Sequence, residues 1–507
     1  MPDVAPQRKS LDMKARIEEG IVYSPYPYTP LAKDGRLYGF LMERLTAHGS
    51  KTALICGQDK LTFCELRDKL RRTSAGFNRQ GLGKATGSMR TWAIPSKALS
   101  PCAAYHSREP VLCPLTSCGK KKAFVVGEKR PGFDSVLEFS GNEESLNENE
   151  NFDRGGWTFV KWTTGTTGAA GELLVPNDTL LADWSVCCLA AFTFWILALH
   201  LGSTIVISKT CQAVPLDVFD VIKGCKAVTM VTFPSKMRRI LNFMKVSEDW
   251  NMVLRRSLRR IVLIGGTPPP GLTEELTSTF QLDELRNSYG MSEAAGCMTL
   301  PPRGEVCGRN VGFPIPGARL KIIDPVSGEV LGPMKCGEVH FDTPCTATRY
   351  LEATTDVTDV RGWIHTGDLG YYDNDGRLFL CGRLKTMLVC QTRKVSPIEI
   401  QDCLLEHAAV EEVAVIGVPA PDGDEFPAAV VVTKPGYSRD QELADDLKRY
   451  VAERKASLMH LHGGVYFVDA LPKNALAKVR AASLRELLVS VRRMDNADEI
   501  AVGECIY

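Results

Sequence analysis

Residues 362–385 read Gly-Trp-Ile-His-Thr-Gly-Asp-Leu-Gly-Tyr-Tyr-Asp-Asn-Asp-Gly-Arg-Leu-Phe-Leu-Cys-Gly-Arg-Leu-Lys. Two strand-like runs flank Asp375-Gly376, a dipeptide suited to a tight turn, so the stretch predicts a β-hairpin. A polar tetrapeptide, His365-Thr366-Gly367-Asp368, leads into it, and Arg383 stands just past it. Upstream, short β-rich runs alternate with helical ones: TIVIS, AVTMVTF, RRIVLIGG, ARLKIID and GEVHFD. Such alternation predicts α/β layers. Downstream comes a fresh α+β unit with helices in KVSPIEIQDCLLEHAAV and ELADDLKRYVAERKA. Its strands are expected in EEVAVIGV, AAVVVT and GGVYFVDALP.

The N-terminal part is less uniform. LYGFLMERLTAHG and TFCELRDKLRRTSAGFNRQGL have helical spacing of apolar positions, with a strand, KTALICG, between them. Residues 84–150 mix Pro, Cys and Ser without periodicity, and irregular loops are expected there. The fold class is therefore α/β and α+β, a large N-terminal domain of sheets flanked by helices and a small mobile C-terminal α+β domain. The expected boundaries are 1–383, with 84–156 irregular or divergent, and 384–507.

With 507 residues the chain exceeds one ordinary core, and at least two domains follow. Lys plus Arg is 61 against 60 for Asp plus Glu, which gives no support for nucleic acid as the partner. The 17 cysteines fall into no zinc-binding spacing and read as reduced thiols. The first twenty residues are charged and have no apolar core, so no secretory leader is expected. The last five, Gly-Glu-Cys-Ile-Tyr, are not an S-K-L address, and an intracellular place, cytoplasmic or peroxisomal, is expected. From Trp184 to Ser208 the chain carries no Asp, Glu, Lys or Arg, long enough to span a bilayer. The preferred reading is a buried helix near Ser185–His200, a Gly-Ser turn and a buried strand Thr204–Ile207, because a turn and a β-branched run sit badly inside one spanning helix.

Four motifs carry chemistry. Trp162 is followed by Thr163-Thr164-Gly165-Thr166-Thr167-Gly168, hydroxyls and glycines whose N–H and O–H groups suit phosphate oxygens. The same residues also suit a plain polar turn, and the loop lacks the Gly-Lys-Ser/Thr of a nucleoside-triphosphatase P-loop. Asn287 precedes Ser288-Tyr289-Gly290-Met291-Ser292-Glu293; then come the 362–385 stretch and Leu471-Pro472-Lys473-Asn474-Ala475-Leu476-Ala477-Lys478. Each alone could be a surface loop. Their order is specific, and over 157–487 the chain resembles the adenylate-forming superfamily, in the branch of 4-coumarate–CoA ligase, acyl-CoA synthetases and firefly-type luciferase.

The resemblance implies ATP-dependent activation of a fatty or aryl carboxylic acid to acyl-AMP and then acyl-CoA, with ATP, Mg²⁺ and CoA as cofactors. It implies that Lys478 is the catalytic lysine, Glu293 the Mg²⁺ ligand, Asp368 the acceptor of the ribose hydroxyls and Arg383 a ribose or phosphate contact. It places Tyr289 against adenine, with Gly265-Gly266-Thr267 beside it, and a hinge at Leu384 or Lys385. The chain departs from the family where Pro-Lys-Gly is expected after the phosphate loop and Ala169-Ala170-Gly171-Glu172 stands instead. Thr392 and Ala477 replace family glycines, and the acyl-pocket motif is missing or displaced. Two further readings follow: a catalytically impaired member that binds nucleotide or acyl ligand, and a membrane-associated lipid-uptake protein.

Overall fold

The structure is a computed structural model. It describes residues 13–28, 37–56, 59–79, 113–117, 120–125, 134–135, 174, 176–182, 189–207, 223, 228–245, 247–294, 296–306, 310–344, 346–347, 356–390, 393–419, 425–472, 479, 483–486 and 488. The phosphate-loop residues Thr163, Thr164, Gly165, Thr166, Thr167 and Gly168 lie outside the described residues, as do Thr392 and Lys478.

A seven-stranded sheet organises the N-terminal part. Its spatial order is Glu284–Ser288, Leu258–Ile264, Val228–Thr232, Thr179–Ala182, Thr204–Ile207, Thr52–Cys56 and Asp59–Thr62. All neighbours pair in parallel except the last two, which form an antiparallel edge. Parallel strands covered on both faces need apolar side chains on both. Val228–Thr232 is buried at every position, and Ile261, Val262 and Leu263 have no exposed surface. Helix Pro234–Met244 covers one face through Met237, Ile240, Leu241 and Met244, the spacing of a single helical stripe. Helix Phe63–Arg79 starts with a capping box: the Thr62 backbone N–H donates to Glu65 Oε2 (2.8 Å), and the Glu65 N–H donates to Thr62 Oγ1 (3.2 Å).

The uncharged stretch is used inside this layer. It forms helix Leu189–Leu201 and then strand Thr204–Ile207, in the middle of the sheet, with Phe194–Leu199 all buried. The thirteen-residue helix is short for a bilayer, and among the described residues no helix is long and apolar enough to cross a membrane.

A second seven-stranded sheet is antiparallel along its main path: Arg16–Glu18, Ile21–Tyr23, Arg319–Ile323, Gly337–Asp342, Ile364–Tyr372 and Leu378–Arg383, with Val330–Leu331 paired to Arg319–Ile323. The expected hairpin is its edge. The side chain of Asp373 closes the turn by accepting from the N–H groups of Asp375 (3.0 Å) and Arg377 (2.9 Å). Where irregular loops are expected, within 84–150, three short strands pair instead: Cys113–Ser117, Lys120–Val125 and Asp134–Ser135. Backbone pairing holds these segments although Lys120-Lys121-Lys122 breaks any apolar alternation.

Past Arg383 a small unit has cores of its own. Strands Val410–Pro419, Glu425–Thr433 and Val465–Phe467 form a sheet. Helices Pro397–Leu405 and Gln441–Ala452 pack on one side of it through Ile400, Leu404, Leu447 and Val451. The whole is an α/β fold of two domains, large and small.

Candidate functional site

Ligands of open parallel sheets gather outside the carboxyl ends of the strands. Here two of the sequence motifs meet at that edge. Leu258–Ile264 and Glu284–Ser288 are parallel neighbours with Ile264 opposite Ser288. The residues that follow, Gly265-Gly266-Thr267 and Tyr289-Gly290-Met291, therefore leave the sheet side by side. Gly265 and Gly266 are exposed and Thr267 is half-buried. Gly290 allows a tight return: a Cβ there would stand 1.9 Å from the Gly296 carbonyl oxygen. Ser292 and Glu293 follow on a single turn of 3-10 helix, Ser292 exposed and Glu293 half-buried.

Tyr289 bridges to the second sheet. Its hydroxyl donates to Asp368 Oδ2 at 2.5 Å, and its ring centroid lies 6.1 Å from that of Phe341. Burial, and then the neighbouring carboxylate of Asp368, push the phenol well above its ordinary value, so the hydroxyl keeps its proton and donates. Asp368 and Arg383 are direct cross-strand partners, and Arg383 Nε lies 2.9 Å from Asp368 Oδ1. The carboxylate is almost wholly buried, whereas the arginine side chain is 68% exposed. Asp368 thus has one oxygen toward a phenol and the other toward a guanidinium.

A bulge aims Asp368. Between the pairs Glu338–Leu369 and His340–His365, the three residues Thr366, Gly367 and Asp368 stand opposite Val339 alone. Gly367 adopts φ +68, which glycine takes without strain. Thr366 Oγ1 donates to the Val339 carbonyl (2.7 Å) and accepts from the Asp368 N–H (3.0 Å). The Gly367 N–H donates to Glu338 Oε1 (3.1 Å). The sequence reading missed Glu338 and Phe341; the available signal was the Gly337-Glu338 pair opening an apolar strand.

The structure therefore brings together Tyr289, Asp368 and Arg383, with Gly265-Gly266-Thr267 leaving the strand next to the one that leads into Tyr289-Gly290-Met291. Ser288 is buried at the end of its strand, and its hydroxyl donates to the Thr299 carbonyl at 2.8 Å. Tyr289, expected as an adenine wall, is also tied by its hydroxyl to Asp368. Glu293 suits Mg²⁺ by donor chemistry: a half-buried carboxylate matches an ion that arrives with phosphates and keeps several waters.

Comparison with known proteins fits this geometry. The profile described as AMP-binding enzyme matches residues 142–351, and the one described as AMP-binding enzyme C-terminal domain matches 399–478. Luciferin 4-monooxygenase of Nipponoluciola cruciata is 34% identical over 228 residues, 44% of this chain and 41% of its own length. The chain thus spans less than half the length of that relative. 4-Coumarate–CoA ligase 3 of Oryza sativa subsp. japonica is 24% identical over 546 residues, covering 93% of this chain and 96% of the relative. A benzoate CoA ligase structure from Burkholderia xenovorans LB400 superposes with a TM-score of 0.71 at 20% identity, over 89% of this chain and 99% of that one, which shows the shared fold. Profiles, relatives and fold agree with the order of the motifs: the chain belongs to the adenylate-forming superfamily of AMP-binding enzymes.

Proposed function

We propose that this protein activates a carboxylic acid with ATP, giving an acyl-adenylate and pyrophosphate, and transfers the acyl group to CoA. The observation that carries the reading is the buried Asp368 carboxylate, set between Tyr289, at the end of a parallel strand, and Arg383. An ionised carboxylate has lone pairs to spare beyond these two contacts, and two neighbouring ribose hydroxyls are donors of the right kind. Arg383 is exposed enough to swing to a ribose or phosphate oxygen.

In the first half-reaction a substrate carboxylate oxygen bonds to the α-phosphorus, and the bond to the pyrophosphate oxygen breaks. Anions meet, so positive charge must be supplied at the reacting centre. Lys478 is the residue proposed for this, as a mobile point charge. Mg²⁺ held through Glu293 would neutralise phosphate charge. In the second half-reaction the CoA sulfur bonds to the acyl carbon and AMP leaves. The acid is fatty or aryl, the class of the CoA-ligase branch, and Gly168-Ala169-Ala170-Gly171-Glu172 weakens the hold on the outer phosphates.

That same run favours one second reading, a member that binds nucleotide without turnover, because the family lysine is absent there. Hydroxylamine trapping separates the two. With ATP, Mg²⁺ and a panel of fatty and aryl acids, the proposal expects acyl-hydroxamate from at least one acid. Nucleotide binding with no hydroxamate from any acid would support the second reading.

A further inference from the structure

We propose that Glu338, His340 and His365 form a site for a divalent transition-metal ion of the zinc class, with a coordination position left to water. The strand ladder creates the cluster. His340 and His365 are cross-strand partners, so their rings share one face of the sheet, and their centroids lie 4.0 Å apart. Glu338 precedes His340 by two residues and joins the same face. One donor atom from each of the three lies within 4.8 Å of the others.

The His340 side chain is 5% exposed, and its Nε2 lies 3.1 Å from Glu338 Oε2, a spacing that two donors of one ion can adopt. A carboxylate only accepts, so without an ion Nε2 carries a hydrogen, which an ion seated between the two donors would replace.

The charges nearby are mixed. Lys321 stands opposite His340 in the ladder, but its ammonium sits 4.3 Å over the Trp363 ring. Asp359 adds a carboxylate, 3.6 Å from His365 Nε2. Two imidazoles and a carboxylate select zinc-like ions over magnesium, and the same set with an open position serves catalytic zinc. Closing on an ion at about 2.0–2.1 Å from each nitrogen brings the donors nearer together than they now stand. His365, 52% exposed, is the side chain free to make that move. Glu338 also holds the Gly367 N–H, so the ion would sit one hydrogen bond from the bulge that aims Asp368.

The test uses the full chain, stripped with a chelator and titrated with cobalt(II), then challenged with zinc. The expected result is one equivalent of cobalt with visible d–d bands of a nitrogen–oxygen site and no thiolate charge-transfer band. Zinc should displace it. His365→Ala, at a half-exposed position, should fold normally by circular dichroism and weaken cobalt binding by at least about tenfold. Glu338→Gln should weaken it too. Failure to bind cobalt, a thiolate charge-transfer band, or unchanged affinity in His365→Ala would each overturn the assignment.

Discussion

Asp368 meets two donors before any nucleotide arrives. The phenol of Tyr289 and the guanidinium of Arg383 hold one oxygen each, so the carboxylate is oriented by contacts from two motifs far apart in sequence. Tyr289 thus positions Asp368, besides the adenine contact expected of it. Tyr289→Phe keeps the ring and removes one hydrogen bond to a charged group, a loss of about 1.5–3 kcal/mol at such sites. The expected outcome is a fall of about tenfold or more in acid-dependent pyrophosphate exchange. The fold should stay intact by circular dichroism, with the thermal midpoint lowered by no more than that loss allows. Exchange at the wild-type rate would make the hydroxyl a bystander. Asp368 and Arg383 were legible in the sequence because hairpin and motif coincide. Their partnership with Tyr289 was not, since nothing local tells which strand end will face Asp368. The bond from the Ser288 hydroxyl to the Thr299 carbonyl was not legible either, since it joins two strands that the motif does not connect.

At the scale of elements, the parallel sheet rests on strands with apolar side chains on both faces. Leu263, with no exposed surface, lies in the core formed with Met230, Met237, Leu241 and Leu276. Leu263→Ala should cost about 2–5 kcal/mol, read from urea unfolding at unchanged slope. A loss well under that would mean the core collapses around the cavity. These strands were legible as β-branched runs, down to Thr204–Ile207 at its observed ends. The three short strands near 113–135 were not, because pairing of polar backbone leaves no periodic trace. The last turn of helix Leu189–Leu201 holds a pH-sensitive group. Burial, with help from Arg44 and His48, pushes the His200 imidazole down from 6.5 to about 4. The unfolded chain therefore takes up this proton more readily between those values. Stability contributed by neutral His200 is present above the upper value and is lost as pH falls toward the lower one. The thermal midpoint should drop across that window, and His200→Phe, beside Phe40, should flatten the drop. An equally steep profile in the variant would assign the effect to other groups.

At the scale of the whole molecule, two units meet at a short 3-10 turn, Leu384–Thr386. Ser396 Oγ donates to the Cys381 carbonyl (2.9 Å), one link between the small unit and the last strand of the antiparallel sheet. If the small domain turns about a hinge at Leu384 or Lys385 between half-reactions, as the resemblance implies, a change in its loop should affect only one of them. By the resemblance Thr392 stands where the family has glycine, and we propose that its branched Cβ slows the step in which the CoA thiol reaches the acyl group. Thr392→Gly should speed CoA ester release and leave pyrophosphate exchange unaltered; equal effects on both steps would place the loop elsewhere. The two-domain plan was legible because each unit has its own run of apolar strands and helices. The acid pocket was not, because no motif marks it in the N-terminal half. The central claim is adenylation of a carboxylic acid. ATP–pyrophosphate exchange across fatty and aryl acids, in wild type and in Lys478→Ala, tests it most directly. The account predicts exchange that requires an acid and falls by about 10²-fold or more in the variant. No acid-dependent exchange in the folded wild type, or an unchanged rate in folded Lys478→Ala, would contradict it.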